Sequence, residues 1–419
     1  MRVLVADAFE PSGLSGLKAI GCEVHYLPDV KDDSLRMALE ECRAEVLIVR
    51  STRVSSAILD AGRLSLVVRA GAGTNTIDVA HASQRGIYVA NCPGKNAIAV
   101  AELAFGLLLS IDRRIPDNVE RLRAGQWEKK RFSKARGVHG LRLGLLGLGA
   151  IGVEMFHRAQ AFGLDITAWT RRFDGEDRAL THEEALSLGM SVRPGAGAVW
   201  LAPTPEAVAR RSDVLSVHLP LTPETRQRIG ASVFSALPDG AIFLNTARGE
   251  LVDYAALRTA VETRGLRVGL DVFESEPTAG AAPFQDVLAQ HPLVYGTHHI
   301  GASTDQAQEA IAKETVRIVQ QYMESGRVPN VVNLCTRTPA SHMLVVRHLD
   351  RPGVLAHVFE HLRKEGINVQ ETENIIFAGA KAAVARINVD ASPSDERLGE
   401  MLAGNPDIMD VKVIPLSAE

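Results

Sequence analysis

Three glycines in "GLLGLGAIG", Gly147, Gly149 and Gly152, keep a G-x-G-x-x-G spacing after a β-rich run and at the start of a helical pattern. In that context the first glycine allows a tight turn, the second lets a pyrophosphate approach the backbone, and the third permits close helix packing. The helix then opens on Ala150, Ile151 and Gly152, whose amides and dipole end suit phosphate oxygens. Further along, "NTARGELVD" puts Arg248 just after a strand end, together with Thr246 and Ala247. "GLDVFESEP" supplies Asp271 and Glu276, and "GTHHIGAST" supplies His299 and Gly301. Ligands of open α/β sheets bind at such strand ends. A guanidinium there offers a planar fork to a carboxylate next to a carbonyl. Beside a dinucleotide turn, these stretches stand in the order that a hydride-transfer site needs.

The strand after the glycine helix, "DITAW", ordinarily ends in an Asp or Glu that grips the ribose hydroxyls of NAD. Here Thr170, Arg171 and Arg172 follow it. Without the acid nothing repels a 2′-phosphate, and the two arginines can pair with one. The expected cofactor is NAD(P), with NADP(H) favoured. The alternative is that both arginines point to solvent and NAD binds through the remaining contacts.

These residues need elements to position them. A chain of 419 residues that is 46% hydrophobic can bury two or three cores. A net charge of -4, with no long basic stripe, argues against nucleic acid as a partner. Cys22, Cys42, Cys92 and Cys335 are far apart without a C-x-x-C pair, so neither a disulfide framework nor a metal site is expected. "MRVLVADAFEPSG" meets Asp7 too soon for a signal peptide. "AIAVAELAFGLLLSI" is shorter than the roughly 20 residues of a membrane span and contains Glu102. A cytoplasmic protein without a membrane partner is the expectation.

Strand-like runs alternate with helical patterns twice, from "RVLVA" to "GIYVAN" and from "LRLGLLG" to "LVYGTHHI", which predicts parallel sheets with covering helices. Long helices are predicted at about 97–124, with a break near Pro116, and at about 303–325. The Gly-, Pro- and charge-rich stretch between Arg172 and Pro205 reads as an insertion or long loop. After "CTRTPASH" the pattern becomes βαββαβ, a ferredoxin-like order. The predicted fold is α/β: two Rossmann-like doubly wound parallel-sheet domains with a cleft between them, plus that C-terminal module. The expected domains are 1–97 with 300–332 for substrate, 98–299 for nucleotide, and 339–419 for regulation.

From "RAGAGTNTID" through "THHIGAST" the chain resembles the D-isomer-specific 2-hydroxyacid dehydrogenases, and its C-terminal module narrows the likeness to the branch acting on D-3-phosphoglycerate in serine biosynthesis. The resemblance implies that His299 is the acid/base, that Glu276 pairs with its imidazole, and that Arg248 holds the substrate carboxylate. A neighbouring carboxylate stabilises an imidazolium, which suits proton exchange with a carbonyl oxygen. Asp271 matches the residue that orients the nicotinamide carboxamide. The "RAGAGTN" loop, with Arg69, Gly71, Ala72, Gly73 and Asn75, matches the loop whose amides meet the carboxylate. In "VRSTRV", Arg50 matches a phosphate-binding arginine beside Ser51, and the stretch is one residue shorter than the family pattern, which leaves the role of Arg53 open. Lys129, Lys130 and Arg131 either reach a phosphate from a neighbouring subunit or form a solvated basic loop. "VRHLDRPGVLAHVFEHLRKEGIN" resembles the start of an ACT domain, with His348, Asp350 and Asn368 at effector-binding positions and L-serine the leading effector. A homodimer or homotetramer is expected. Two other functions stay open: a glyoxylate or hydroxypyruvate reductase, and a redox-sensing interaction protein of the same superfamily.

Overall fold

The computed structural model describes residues 1–191, 199–277 and 282–416. The chain forms two compact units, Met1–Asn333 and Leu334–Glu419.

The first unit opens with β1 (Arg2–Val5), α1 (Pro11–Ala19), β2 (Glu23–Tyr26), α2 (Asp32–Cys42), β3 (Val46–Val49), α3 (Ser56–Leu59), β4 (Leu66–Arg69), α4 (Val79–Gln84) and β5 (Tyr88–Asn91). The strands pair in parallel in the order β2-β1-β3-β4-β5. Helices cover both faces, so β3 is buried at all four positions and reads as an unbroken apolar run. Strand order reverses between β1 and β3, and that switch point is where such sheets take ligands.

α5 (Ala97–Arg113) and α6 (Ile115–Arg123) follow. The break between them falls at Arg114, held at φ 51°, two residues before Pro116. α5 buries Ala104, Leu108 and Ile111 against the second sheet.

That sheet is built from β6 (Arg142–Leu146), α7 (Ala150–Ala161), β7 (Asp165–Trp169), β8 (Arg178–Ala179), α8 (His182–Ser187), β9 (Trp200–Leu201), α9 (Pro205–Arg210), β10 (Val214–Val217), α10 (Ala231–Ala236), β11 (Ile242–Asn245), α11 (Tyr254–Arg264), β12 (Arg267–Leu270) and β13 (Val294–Gly296). Its order is β13-β12-β11-β10-β6-β7-β9-β8, parallel except for β8. The second switch point lies between β6 and β10. α12 (Asp305–Ser325), capped by the Thr304 side chain, returns the chain to the first sheet through Ile311, Ile318 and Val319.

The 172–205 stretch departs from the expectation of an insertion or long loop. Its described residues hold β8, α8 and β9, and β9 extends the sheet beside β7; residues 192–198 lie outside the description. Short-range polar contacts order it: Thr181 and Glu184 form a capping box, and Arg178 ion-pairs with Glu184 and Glu176. Glycine and proline content concealed those contacts.

The second unit comprises β14 (His342–Leu349), α13 (Val354–Lys364), β15 (Val369–Ile376), β16 (Ala382–Val389), α14 (Asp395–Ala403) and β17 (Ile408–Pro415), in the antiparallel order β15-β16-β14-β17. Its core joins Leu344, Val346 and Ile387 to Val358 and Leu362. No helix among the described residues is long and apolar enough to cross a membrane.

Candidate active site

The glycine turn joins β6 to α7. Gly147 sits at φ 105°, and a Cβ there would lie 2.5 Å from the His218 carbonyl oxygen. A Cβ on Gly152 would lie 2.1 Å from the Gly147 oxygen. Gly149 is different: nothing lies within 4 Å of its added Cβ. The chain makes no steric demand for glycine there, and the open space fronts the first turn of α7, whose amides lack intrahelical acceptors. Two buried polar atoms nearby in the fold also lack partners. They are His218 Nδ1, just past β10, and Thr246 Oγ1, just past β11. Burial lowers the His218 pKa to about 3, so the ring is neutral, with Nε2 2.8 Å from Ser216 Oγ. An open cradle beside unpartnered donors and acceptors fits a dinucleotide, its pyrophosphate on Gly149, Ala150, Ile151 and Gly152.

Thr170 follows β7 directly, and Arg171 and Arg172 form an exposed turn after it. Arg172 lies over the Phe173 ring at 5.2 Å, and neither arginine ion-pairs with an acid among the described residues. The nearest acid in sequence, Asp174, is taken by the Trp169 indole at 2.8 Å.

His299 and Glu276 are brought together: Nδ1 lies 2.6 Å from Glu276 Oε2, and Oε1 accepts the Phe273 amide at 2.9 Å. Burial alone raises the Glu276 pKa, but the His299 and Phe273 bonds and the Arg248 charge outweigh it and hold the carboxyl below its usual value. His299 is itself at φ 52°, a left-handed conformation uncommon outside glycine. Asp271 sustains it. Its buried carboxylate accepts Thr297 Oγ1 (2.6 Å), the Ile300 amide (2.8 Å) and the Gly301 amide (2.9 Å). The loop around His299 is thus tied to Asp271, a connection the sequence did not reveal.

Arg248 meets the first sheet. A Cβ on Gly73 would lie 2.2 Å from Arg248 Nη2 and 3.2 Å from Asn75 Oδ1. The Gly71 carbonyl accepts the Cys92 amide (2.9 Å) and the Ala72 carbonyl accepts Asn91 Nδ2 (2.6 Å). In planar trans peptides the following amides, of Ala72 and Gly73, point the opposite way. Arg50 lies within reach of Ser303 Oγ at 3.5 Å, while Arg53 is exposed.

Arg69 carries more than its sequence position suggested. Its Nη1 occupies the place a Gly71 side chain would need, and its Nε is buried without a partner. Burial first, then the charges of Arg248 and Arg50, lowers its pKa to about 10. None of these three arginines ion-pairs with a carboxylate among the described residues. Lys129, Lys130 and Arg131 sit on an exposed 3-10 turn, Arg131 paired with Glu128.

In the second unit His348 is buried at the end of β14, its ring bonded to the Leu349 carbonyl and to Asn374 Oδ1. Asp350 follows it. Asn368 precedes β15 at the other end of the sheet; Val369, the next residue, is already six residues from His348 in register, or about 20 Å. One chain therefore does not bring Asn368 to His348 and Asp350; Asn374 stands there instead. Among the described residues no cluster of three or more His, Cys, Asp or Glu is arranged to hold a metal.

Residues 105–301 match the family described as D-isomer specific 2-hydroxyacid dehydrogenase, NAD binding domain. Residues 105–301 belong to that NAD-binding domain family, and the nucleotide site is of the NAD(P)-binding kind. Among named relatives it is similar to the D-3-phosphoglycerate dehydrogenase of Methanocaldococcus jannaschii, 35% identical over 80% of this chain and 60% of that protein. The chain thus spans less than two thirds of that relative's length. The solved TT0316 protein of Thermus thermophilus is 30% identical with a TM-score of 0.66, covering 79% of this chain and 100% of that one. A NADPH-dependent glyoxylate/hydroxypyruvate reductase of Sinorhizobium meliloti, solved with NADP and malonate, is 28% identical with a TM-score of 0.63, covering 80% and 99%.

Proposed function

We propose that this chain is an NAD(P)-dependent dehydrogenase that oxidises D-3-phosphoglycerate to 3-phosphohydroxypyruvate, the first committed chemistry toward L-serine. The observation that carries the substrate is the set of Arg50, Arg69 and Arg248. The charges of Arg50 and Arg248 both act on the buried Arg69, and none of the three ion-pairs with a carboxylate among the described residues. A 2-hydroxy acid brings one carboxylate, about -1; a phosphate on the same molecule adds about -1.5 to -2. The phosphorylated acid brings the charge that suits so strongly cationic a set. On this reading Arg248 and the amides of Ala72 and Gly73 hold the carboxylate, and Arg50 and Arg69 hold the phosphate.

The bound nicotinamide supplies the hydride acceptor. With Nδ1–H donated to Glu276, His299 has Nε2 left to take the C2 hydroxyl proton as the carbonyl forms. The Glu276 carboxylate then stabilises the imidazolium, and in the reverse direction His299 returns the proton to the carbonyl oxygen. Thr170, in place of an acid, and Arg171 and Arg172, without an ion pair to an acid among the described residues, favour NADP(H). His348 and Asp350 would bind an amino-acid effector in an ACT-type module, with Asn368 contributed by a second copy in a homodimer or homotetramer.

Steady-state oxidation of D-3-phosphoglycerate, D-glycerate and D-lactate with NAD and with NADP tests the reading. D-3-Phosphoglycerate should lead in kcat/KM by at least about tenfold, since a hydrogen bond to a charged group contributes roughly 1.5–3 kcal/mol. A lead for D-glycerate points to the reductase, as the Sinorhizobium relative is named. No turnover of any acid points to an interaction protein.

A further inference from the structure

At the first switch point a buried carboxylate gathers the loop that carries Arg50. Asp7 lies two residues beyond β1 and is 8% exposed. Its Oδ2 accepts three successive backbone amides from the loop after β3: Arg50 (2.6 Å), Ser51 (3.0 Å) and Thr52 (3.0 Å). Its Oδ1 accepts the hydroxyls of Ser51 (3.2 Å) and Thr52 (3.0 Å). Five donors converge on one side chain, and three consecutive amides aimed at one oxygen form an anion-binding concavity. In such a crevice that concavity would otherwise be open to a ligand's anion. Asp7 fills it from within the protein.

We infer that Asp7 is a positioning residue for recognition of the substrate's distal anionic group, a role resting on the phosphorylated-acid reading above. Three consequences follow from the geometry. The backbone at Arg50 is fixed at a buried anchor, so the guanidinium starts from a set point at the strand end. The amides of 50–52 are consumed, so the distal anion is met by guanidinium groups and not by the loop backbone. Asp7 also lies near enough to Arg69 to favour its charged form against burial. Nothing in Asp7 touches the reacting carbon or its hydroxyl, so its contribution belongs in KM and not in kcat.

The test uses the purified full chain with saturating cofactor. Asp7→Ala should raise KM for D-3-phosphoglycerate by about 10- to 100-fold, the scale of a misplaced binding group. Its kcat should stay within about threefold, its NAD(P)H dissociation constant should be unchanged, and KM for D-glycerate should barely move. Asp7→Asn should restore KM to near the unmodified value. Its carbonyl oxygen can take the three amides, and its NH2 can donate to the two hydroxyl oxygens. If Asp7→Ala does not fold, Asp7→Ser, which is too short to reach the amides, replaces it with the same expected and overturning results. An unchanged KM for D-3-phosphoglycerate overturns the assignment, as does an equal rise for D-glycerate or an Asp7→Asn variant as impaired as Asp7→Ala. Arg50→Ala separates the two levels. A raised KM there with an unaffected Asp7→Ala removes only the role of Asp7. No effect of Arg50→Ala removes the phosphate reading itself.

Discussion

Replacing Glu276 with Gln tests the proton-transfer half of the site with little change of shape. Glu276 uses one oxygen for the Phe273 amide and the other for His299 Nδ1 at 2.6 Å. Its carboxyl is held below the usual range, so it is ionised at any working pH. Glutamine keeps the Phe273 bond through its carbonyl oxygen, and the loop should stay in place. Its NH2 then faces His299 Nδ1 as a donor. The ring must accept there and carry its proton on Nε2, which leaves no base toward the hydroxyl. The lost interaction is a charge-assisted hydrogen bond, roughly 1.5–3 kcal/mol. His299 is 47% exposed at its side chain, so solvent screening favours the lower part of that range. At about 1.4 kcal/mol per factor of ten, kcat should fall about 10- to 30-fold. KM should change less than about threefold, and the NAD(P)H dissociation constant, read by fluorescence, should not change. The role of Glu276 in proton transfer fails if kcat stays within about threefold of the unmodified enzyme. It fails differently if cofactor affinity collapses with kcat, for then Glu276 only holds up the loop.

Three further outcomes are expected. Arg171→Ala with Arg172→Ala should weaken NADPH by roughly 1–3 kcal/mol and leave NADH nearly unchanged; equal weakening, or none, means the arginines are solvent-exposed bystanders. Calorimetry should detect L-serine binding to the full chain, and His348→Ala should abolish it; if no small amino acid binds at millimolar concentration, the second unit is not a sensor. In that unit His361 is buried, and desolvation, followed by the charges of His357, Lys364 and Arg397, lowers its pKa against the opposing Glu400. The unfolded chain therefore binds the proton more readily, so the His361 contribution is present above about pH 6.5 and is lost as pH falls below it. His361→Leu should flatten the acid limb of the melting temperature, and an unaltered limb removes His361 from that titration.

Much of this was legible because parallel strands leave a plain mark. "VLIV" at β3 is apolar at every position, since helices cover both faces of its sheet. The glycine spacing was legible for a similar reason: Gly152 is demanded by the Gly147 carbonyl five residues before it, which spacing records, although Gly147 itself is demanded by the distant His218 carbonyl. What escaped were contacts between strand ends distant in sequence. Asp7 meets its loop across more than forty residues, and Arg69 meets Arg248 across a much longer stretch. No local pattern reports which ends a doubly wound sheet will bring together. Asn368 and Asn374 differ for another reason. Both lie at or in one strand, and only antiparallel register decides which end of the sheet faces His348. In the 172–205 stretch a capping box supplied order that composition hid.

The two switch points divide the work of recognition on this reading. The C1 carboxylate is bracketed by groups of both sheets, the amides of Ala72 and Gly73 from one and Arg248 from the other. Gly73 and Arg248 already stand so close that a single Cβ would separate them. A ligand at that point is therefore held to both halves of the cleft, in register with His299, whose loop is tied to Asp271 at the end of β12. The distal anion is held differently. Arg50 follows β3 and Arg69 ends β4 of the first sheet, and Asp7 ties the Arg50 loop to that same sheet. Binding there adds affinity without touching the nucleotide half. Removing the distal anion from the substrate should then weaken binding more than it slows the bound molecule. Removing the C1 carboxylate, or Arg248, should cut kcat as well, because alignment across the cleft is lost along with the contact.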